Sequence, residues 1–247
     1  MRVGRRARLI CAGVLFYGLS AAPTLLWGDD AELQRIAVTG EARVVGQSSI
    51  ASHLLWQFVA STFVRWTTWL PLDEAGRVTL VSAIAAALVI IPLALTIRDS
   101  SRQVGLGNRA AALGSVVGAV ALGLSHTFWL LASRPDAYTI QTFLLASALW
   151  AAVRASGSAS PWRWWLVVVG IVAVTLTNHA MVLASLPGLG VVAISGQMER
   201  RAALVAGGLA IAIGVVPIGA AWEAGFPFGA LAATLTRYRP QLPRPLD

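Results

Sequence analysis

Long apolar runs separated by short arginine-rich loops constrain the fold of this chain more than any other feature. Hydrophobic residues make up 57% of its 247 residues and charged residues only 12%, whereas a soluble domain carries about 25% charged residues. A water-soluble fold cannot hide this much apolar surface, so the composition indicates a lipid bilayer. The net charge of +8 is typical of some nucleic-acid-binding proteins. Here the arginines lie in loops between apolar runs, which favours membrane topology and no nucleic-acid partner.

The apolar runs predict an all-α fold, a polytopic transmembrane helical bundle of about six or seven spans, because each helical crossing needs about 20 residues. The expected spans are Leu9–Trp27, Val78–Ile97, Ala110–Leu131, Ala137–Val153, two short helices within Trp164–Ser195 that meet near His179, and Ala202–Trp222. The first run also resembles a signal peptide, but it is longer than the usual apolar region of one and lacks a clear cleavage site, which favours an uncleaved span.

We expect residues 1–247 to form a single transmembrane domain. Residues 28–76 are predicted to be an outer loop with an interfacial helix at Ile50–Leu70, and residues 223–247 an outer tail. Polar residues interrupt Ile50–Leu70 and tryptophans flank it, as in a helix at the headgroup boundary. A tilted true span is the alternative for the same segment.

The arginine distribution predicts the orientation. We expect the protein to lie in the inner (cytoplasmic) membrane. Arginine-rich short loops lie on the cytoplasmic side of a membrane, so the N-terminus is expected in the cytoplasm. The same alternation puts a set of polar residues together on the outer face: Asp29, Asp30, Glu32, Asp136 and His179.

The acidic motif WGDDAEL, residues 27–33, is the strongest chemical signal. Asp29 and Glu32 are three residues apart, so a helix would place both on one face. Such a pair suits a general base with a hydrogen-bond acceptor beside it, or a divalent metal site. The structural alternative is a solvated loop in which Asp30 caps the following helix.

Two further groups of polar residues stand out: one follows the third apolar run, and the other interrupts the run Trp164–Ser195. Asp136 stands beside Pro135 at the expected start of a helix, where a carboxylate favours the positive dipole end. Arg134 next to it suits a phosphate or lipid headgroups. Asn178 and His179 interrupt an apolar run, where they either line a cavity or make a hydrogen bond between helices.

Four motifs in order resemble a known family. They are APTLLWGDDAEL at 22–33, GRVTLVSAIAAAL at 76–88, PDAYTI at 135–140 and LTNH at 176–179. Together they resemble the bacterial family once called domain of unknown function 2723, which is related to protein O-mannosyltransferases and belongs to the C-type glycosyltransferase superfamily. In the first motif Asp29 and Glu32 take the family's acidic places. In the third, Asp136 and Tyr138 take its Glu and Tyr places.

The resemblance implies the fold of the N-terminal membrane half of a C-type glycosyltransferase. It also implies a polyprenyl-phosphate-linked sugar as donor, drawn from among the membrane lipids, and a protein or glycan acceptor on the outer side. By this match Asp29 is the expected base, and Glu32 assists it by hydrogen bonding or by binding a divalent metal with Asp29. The expected substrate-binding residues are Asp30, Arg134, Asp136, Tyr138, Asn178 and His179.

Two other kinds of function stay open at this point. The family's stretch after the acidic motif is replaced here by VVGQSSIASHLL, residues 44–55, which favours a noncatalytic relative that binds lipid-linked sugar. A transporter or flippase is the other alternative. It requires polar residues in mid-span, and residues 177–179 offer the best candidates.

Overall fold

The computed structural model describes residues 3–40, 53–179, 182 and 185–195. Within these ranges the regular structure is entirely helical, which confirms the all-α prediction. The helices are α1 Val3–Ser20, α2 Asp29–Thr39, α3 Leu54–Trp66, α4 Glu74–Gln103, α5 Asn108–Gly123, α6 His126–Ala132, α7 Ala137–Ser156, α8 Pro161–Asn178 and α9 Leu186–Ser195.

Helix α4 is the centre of the described structure and packs against α1, α2, α3, α5, α6 and α7. Its start is fixed by Asp73, whose side chain accepts a hydrogen bond of 2.6 Å from the backbone N–H of Gly76, as an N-cap residue does. Alanines supply much of its buried surface. Small side chains let neighbouring helices approach closely, and a Cβ added at Gly13 of α1 would lie 3.1 Å from the Cβ of Ala87.

The start of α4 also touches the connection between α1 and α2. A Cβ added at Gly76 would lie 2.5 Å from the backbone oxygen of Pro23, so only glycine allows this approach. The segment that leads into the acidic motif therefore crosses directly over the first turn of α4.

The prediction of six or seven spans is wrong. Among the described residues, α4 is the one helix long and apolar enough to cross a bilayer, and the bent pair α5–α6 gives a second if it counts as one span. From Cys11 onward, α1 contributes a shorter apolar stretch, Cys11–Ser20. In α7 and α8, polar residues near the helix ends shorten the apolar stretch.

The predicted span Ala110–Leu131 is divided. Helices α5 and α6 meet at an angle of 64°, and Ser125 stands at the N-cap of α6. Hydrogen bonds hold the bend in place. Trp129 Nε1 donates to Ser20 Oγ at 3.0 Å, and the backbone N–H of Ala22 donates to the carbonyl of Ser133 at 2.8 Å. The bend brings the residues that follow α6 beside the end of α1.

Helix α3 corresponds to the core of the predicted interfacial helix. It has 13 residues and buries Trp56, Ala60 and Val64 in a cluster shared with α2 and α4. A helix of this length is too short to cross a bilayer alone. Its last turn is joined to α4 by Arg77, whose side chain is buried and donates to the carbonyl of Val64 at 3.2 Å.

The predicted break near His179 is confirmed. Helix α8 ends at Asn178 and α9 begins at Leu186. Alanines of α7 pack against Trp165 and the valines of α8. This packing fixes the position of the end of α8 relative to α7. The predicted span Ala202–Trp222 and the tail 223–247 lie outside the described residues.

Candidate functional site

A cleft of about 460 Å³ opens where the start of α2, the start of α3 and the turn between α6 and α7 meet. Its lining residues are Trp27, Gly28, Asp29, Asp30, Leu33, His53, Arg134, Asp136, Ala137 and Tyr138. Most of its polar groups are charged or titratable side chains. The cleft therefore unites the first acidic motif with the second polar group of the sequence.

The backbone at Gly28 turns the chain into α2. Gly28 has φ 69° and ψ −141°, a conformation that glycine adopts readily and other residues rarely. Asp29 and Asp30 follow in the first turn of α2, where the helix dipole stabilises negative charge. The alternative that Asp30 caps this helix is wrong, because Gly28 is the N-cap and no side chain caps it. Asp29 is exposed at the cleft.

Gln34 holds this segment in place. Its side chain is 1% exposed. Its Oε1 accepts from the backbone N–H of Leu26 at 2.9 Å, and its Nε2 donates to the carbonyls of Thr24 at 3.3 Å and Ala75 at 3.2 Å. One amide thus joins α2, the preceding loop and α4, and it positions the acidic residues.

Arg134 lies across the cleft from Asp30. Its Nε is 3.5 Å from a carboxylate oxygen of Asp30, and the two side chains are 43% and 18% exposed. Burial raises the pKa of Asp30, the Arg134 guanidinium opposes that rise, and the charge of Asp29 adds to it. The Arg134 side chain is therefore exposed enough to contact a second anion in addition to Asp30.

Asp136 caps α7. Its Oδ1 accepts from the backbone N–H of Tyr138 at 2.6 Å, and its own backbone N–H donates to Ser82 Oγ at 2.8 Å. Burial raises the pKa of Asp136 to about 6, the bond from Tyr138 opposes the rise, and the charge of Asp30 adds to it. The expected role at a helix start is therefore confirmed, and the same carboxyl also faces the cleft.

Three rings lie together at one side of the cleft; His53 and Tyr138 line it, whereas His179 packs against them and is not among the lining residues. The His53 and His179 rings are stacked with centroids 5.1 Å apart, and Tyr138 lies 5.4 Å from His179 and 6.3 Å from His53. Burial lowers the pKa of both imidazoles, and for His179 the charge of His53 adds to the effect. Both rings are consequently expected to be neutral at pH 7.

Asn178 fixes these rings from behind. It is fully buried and its Nδ2 donates to the carbonyl of Ala137 at 3.0 Å and to Gln141 Oε1 at 3.1 Å. Its backbone carbonyl accepts from His53 Nδ1 at 2.7 Å. Because a carbonyl only accepts, Nδ1 carries the hydrogen and Nε2 of the neutral ring is an acceptor. Of the two readings of Asn178, the hydrogen bond between helices is the one observed.

Glu32 lies apart from these groups. Arg35, one turn further along α2, donates to both of its carboxylate oxygens, at 2.8 and 2.7 Å. Glu32 is not among the residues that line the cleft. Its assisting role stays a prediction.

The described residues do not form a recognisable metal site. No three His, Cys, Asp or Glu side chains in this part of the chain are grouped so that they could hold an ion, and Arg35 occupies the carboxylate of Glu32. Metal binding by Asp29 and Glu32 stays a prediction, and no step proposed below uses a metal.

The sequence prediction did not include two residues that build the site: His53, which lines the cleft, and Gln34, which holds the acidic segment in place. No local sequence signal identifies His53, because its hydrogen-bond partner Asn178 is 125 residues away. A local signal does identify Gln34, because it stands among Leu33, Ile36 and Ala37 on the buried face of α2. A polar side chain on an apolar face must find partners.

The family model of the protein O-mannosyl-transferase TMEM260 N-terminal domain matches residues 54–202. No curated protein and no solved structure matches the chain. The matched segment contains Arg134, Asp136 and Tyr138, whereas Asp29 and Asp30 precede it. The cleft is thus built from both the matched segment and the part of the chain before it.

Proposed function

This chain belongs to the family of the protein O-mannosyl-transferase TMEM260 N-terminal domain, and we propose that it transfers a sugar from a polyprenyl-phosphate donor to an acceptor hydroxyl. The observation that carries the proposal is the cleft in which an arginine faces several carboxyl groups. A phosphate leaving group and an acceptor proton need these two kinds of side chain.

In the proposed reaction the acceptor oxygen attacks the anomeric carbon of the donor sugar. The bond from that carbon to the phosphate oxygen breaks, and its electron pair leaves with the polyprenyl phosphate. Asp29 takes the proton of the acceptor hydroxyl, since its carboxylate is exposed at the cleft. A single displacement of this kind inverts the configuration at the sugar carbon.

Arg134 is the proposed partner of the donor phosphate. A guanidinium binds phosphate through paired N–H donors. The donor phosphodiester carries one negative charge, like the Asp30 carboxylate, and it gains a second as the sugar leaves. Charge that develops on the leaving oxygen would be stabilised by the same group.

Asp136 and the three rings are proposed to bind the sugar. With a pKa raised to about 6, Asp136 carries a proton in part of the population near neutral pH, so its carboxyl can donate to a sugar hydroxyl as well as accept from one. Neutral His53 offers Nε2 as an acceptor, and Tyr138 offers a phenol at the cleft.

We also propose a location in the cytoplasmic membrane with the N-terminus in the cytoplasm and the cleft on the outer side. Helix α4 is long and apolar enough to cross the bilayer. The cleft residue Asp136 is bonded to Ser82 in the N-terminal half of this helix, and Arg98 and Arg102 stand near its far end. Arginine-rich connections are typical of the cytoplasmic side.

Native mass spectrometry of the detergent-solubilised protein with a panel of polyprenyl-phosphate sugars tests the proposal. The wild type is expected to retain one donor selectively and to release its sugar to water or to an added acceptor. Asp29→Asn should retain the same donor but lose the sugar at least about 100-fold more slowly, as loss of a general base predicts. Glu74→Gln is the matched control, because this carboxylate is 58% exposed and lies outside the cleft.

Each other outcome has a definite meaning. Binding without sugar release in any variant contradicts the transferase and favours a noncatalytic binder of lipid-linked sugar. Equal rates of sugar release by wild type and Asp29→Asn contradict only the role of Asp29 as the base. Binding of none of the donors contradicts the proposal as a whole.

A further inference from the structure

A second concavity, separate from the cleft, lies between α1, α4 and α5. It has a volume of about 350 Å³ and shares no lining residue with the cleft. Its walls are almost wholly apolar, with Ala12 and Phe16 on α1, Ile91 and Leu95 on α4, and Val116 and Val120 on α5. We refer to it as the α1–α5 groove.

One charged side chain borders the α1–α5 groove. Arg98 of α4 is half-buried there, and among the described residues no hydrogen bond or ion pair engages its guanidinium. The neighbouring acid does not serve it, because Asp99 accepts from Trp150 Nε1 at 3.3 Å and pairs with Arg154 at 3.8 Å. A half-buried guanidinium favours an anionic partner.

The helix register gathers further arginines at the same end. Gly13 of α1 lies against Ala87, and Gly18 lies against Leu80, so α1 runs antiparallel to α4. The first turns of α1 therefore run beside the last turns of α4. The arginines placed at this end by the backbone are Arg5, Arg6 and Arg8 on α1, Arg102 on α4 and Arg109 on α5.

We propose that the α1–α5 groove binds an anionic phospholipid, with one acyl chain against the apolar walls and the headgroup phosphate at Arg98. An apolar wall excludes water-soluble anions, and the basic end discriminates against neutral lipids. Basic pockets between helices on the cytoplasmic side of a membrane are known to hold acidic headgroups. Burial of the chain supplies affinity in proportion to the apolar area removed from water.

This site differs from the donor site of the proposed function. Arg134 of the cleft is two residues before Asp136, which is bonded to Ser82 in the N-terminal half of α4, and Arg98 lies near the opposite end of that helix. The phospholipid proposed here is therefore a bound membrane component, not the sugar donor. Its test is independent of sugar transfer.

Native mass spectrometry of the detergent-solubilised full chain, titrated with phosphatidylglycerol or phosphatidylcholine of the same acyl chains, tests the proposal. Wild type should retain phosphatidylglycerol in preference to phosphatidylcholine. Arg98→Gln should weaken retention of phosphatidylglycerol by about tenfold, as expected for the loss of one charge-assisted contact, and should reduce the preference for phosphatidylglycerol over phosphatidylcholine.

A pair of tryptophan variants tests the groove itself. Val116 and Val117 are each 58% exposed on α5, but only Val116 lines the groove. Val116→Trp should fill the groove and abolish retention of phosphatidylglycerol, whereas Val117→Trp should retain it like wild type. Ala12→Phe repeats the test from α1 if Val116→Trp fails to fold, as judged by circular dichroism.

Three results would overturn the proposal. The first is equal retention of the two lipids by wild type. The second is equal loss in both tryptophan variants, which would indicate unspecific annular lipid. The third is displacement of phosphatidylglycerol by a polyprenyl phosphate at equal concentration, which would make the sugar donor the occupant.

Discussion

The imidazole rings of His53 and His179 are stacked nearly parallel, with centroids 5.1 Å apart and an interplanar angle of 22°. Burial lowers the pKa of both rings, whereas burial raises the pKa of Asp136 to about 6. Protonation of the two imidazoles on acidification therefore lowers the stability of the fold, whereas protonation of Asp136 raises it. The first two predictions separate these contributions.

Replacing His53 by Phe should destabilise the fold and reduce its sensitivity to acid. The folded-state pKa of His53 lies below its ordinary value of 6.5, so the native state binds fewer protons than the unfolded state in that window. The contribution of His53 is present above pH 6.5 and is lost as the pH falls toward the folded pKa. Phe also leaves the carbonyl of Asn178 without its bond, at a cost of about 2 kcal/mol. Thermal unfolding in detergent between pH 5 and 8 measures both effects.

The control for His53→Phe is His126→Phe, because His126 is exposed at the start of α6. We expect this variant to keep the wild-type stability and pH profile. A wild-type profile in His53→Phe would contradict the burial of a neutral imidazole.

Wild type should lose stability as the pH rises from acid to neutral, and replacing Asp136 by Asn should abolish this contribution to the pH dependence. The folded-state pKa of about 6 exceeds the ordinary value of 3.8, so the native state holds a proton that the unfolded state releases. Stability from this group is full below pH 3.8 and is lost as the pH rises through 6, by at most about 3 kcal/mol. Asn keeps the N-cap acceptor. Thermal unfolding of Asp136→Asn between pH 4 and 7 should be flatter than that of wild type, and an unchanged slope would refute the assignment.

Replacing Gln34 by Leu should destabilise the protein by about 2 kcal/mol or more. The backbone N–H of Leu26 and the carbonyls of Thr24 and Ala75 would lose their partner in a buried site, and each such loss costs about 1–3 kcal/mol. Denaturant unfolding measures the change. Gln57→Leu, at a half-buried position of α3, is the control and should change stability less. An equal effect at the two positions would contradict the supporting role of Gln34.

Cysteine labelling tests the proposed orientation of α4. In a Cys11→Ser background, Leu25→Cys should react with an impermeant thiol reagent in intact spheroplasts, and Val104→Cys should react only after permeabilisation. The two side chains are 67% and 77% exposed, so accessibility alone does not separate them. The 30 residues of α4 span about 45 Å, enough to hold its ends on opposite sides of a bilayer. The reversed pattern would overturn the orientation.

Helices that begin with an unambiguous signal could be predicted from the sequence. Asp136 after Pro135 predicted the start of α7, and the polar break at Asn178 and His179 predicted the end of α8. The bend between α5 and α6 was missed although the polar residues Ser125, His126 and Thr127 interrupt the apolar run there. Tertiary hydrogen bonds to α1 decide the direction of the chain at this point. The span count failed for a related reason, since an apolar run does not reveal where its helix stops.

Some residues of the candidate site could be predicted from the sequence and others could not. The sequence placed Asp29, Asp30, Glu32, Asp136 and His179 on one face of the predicted topology. The structure gathers Asp29, Asp30 and Asp136 in one cleft, without Glu32 and His179 among its lining residues. Glu32 could have been separated from them, because Arg35 stands at the spacing of a helical ion pair and binds it. His53 could not have been included, since its position depends on a contact with the distant end of α8.

The contact between Gly76 and Pro23 has a consequence for anyone who wishes to thermostabilise this protein. Exchanging a helical glycine for alanine commonly gains about 1 kcal/mol, and helices α4 and α8 each contain a glycine. At Gly170 of α8 nothing lies within 4 Å of an added Cβ, whereas at Gly76 that atom would collide with the backbone of Pro23. The same substitution should therefore improve the protein at one position and push the acidic segment off α4 at the other.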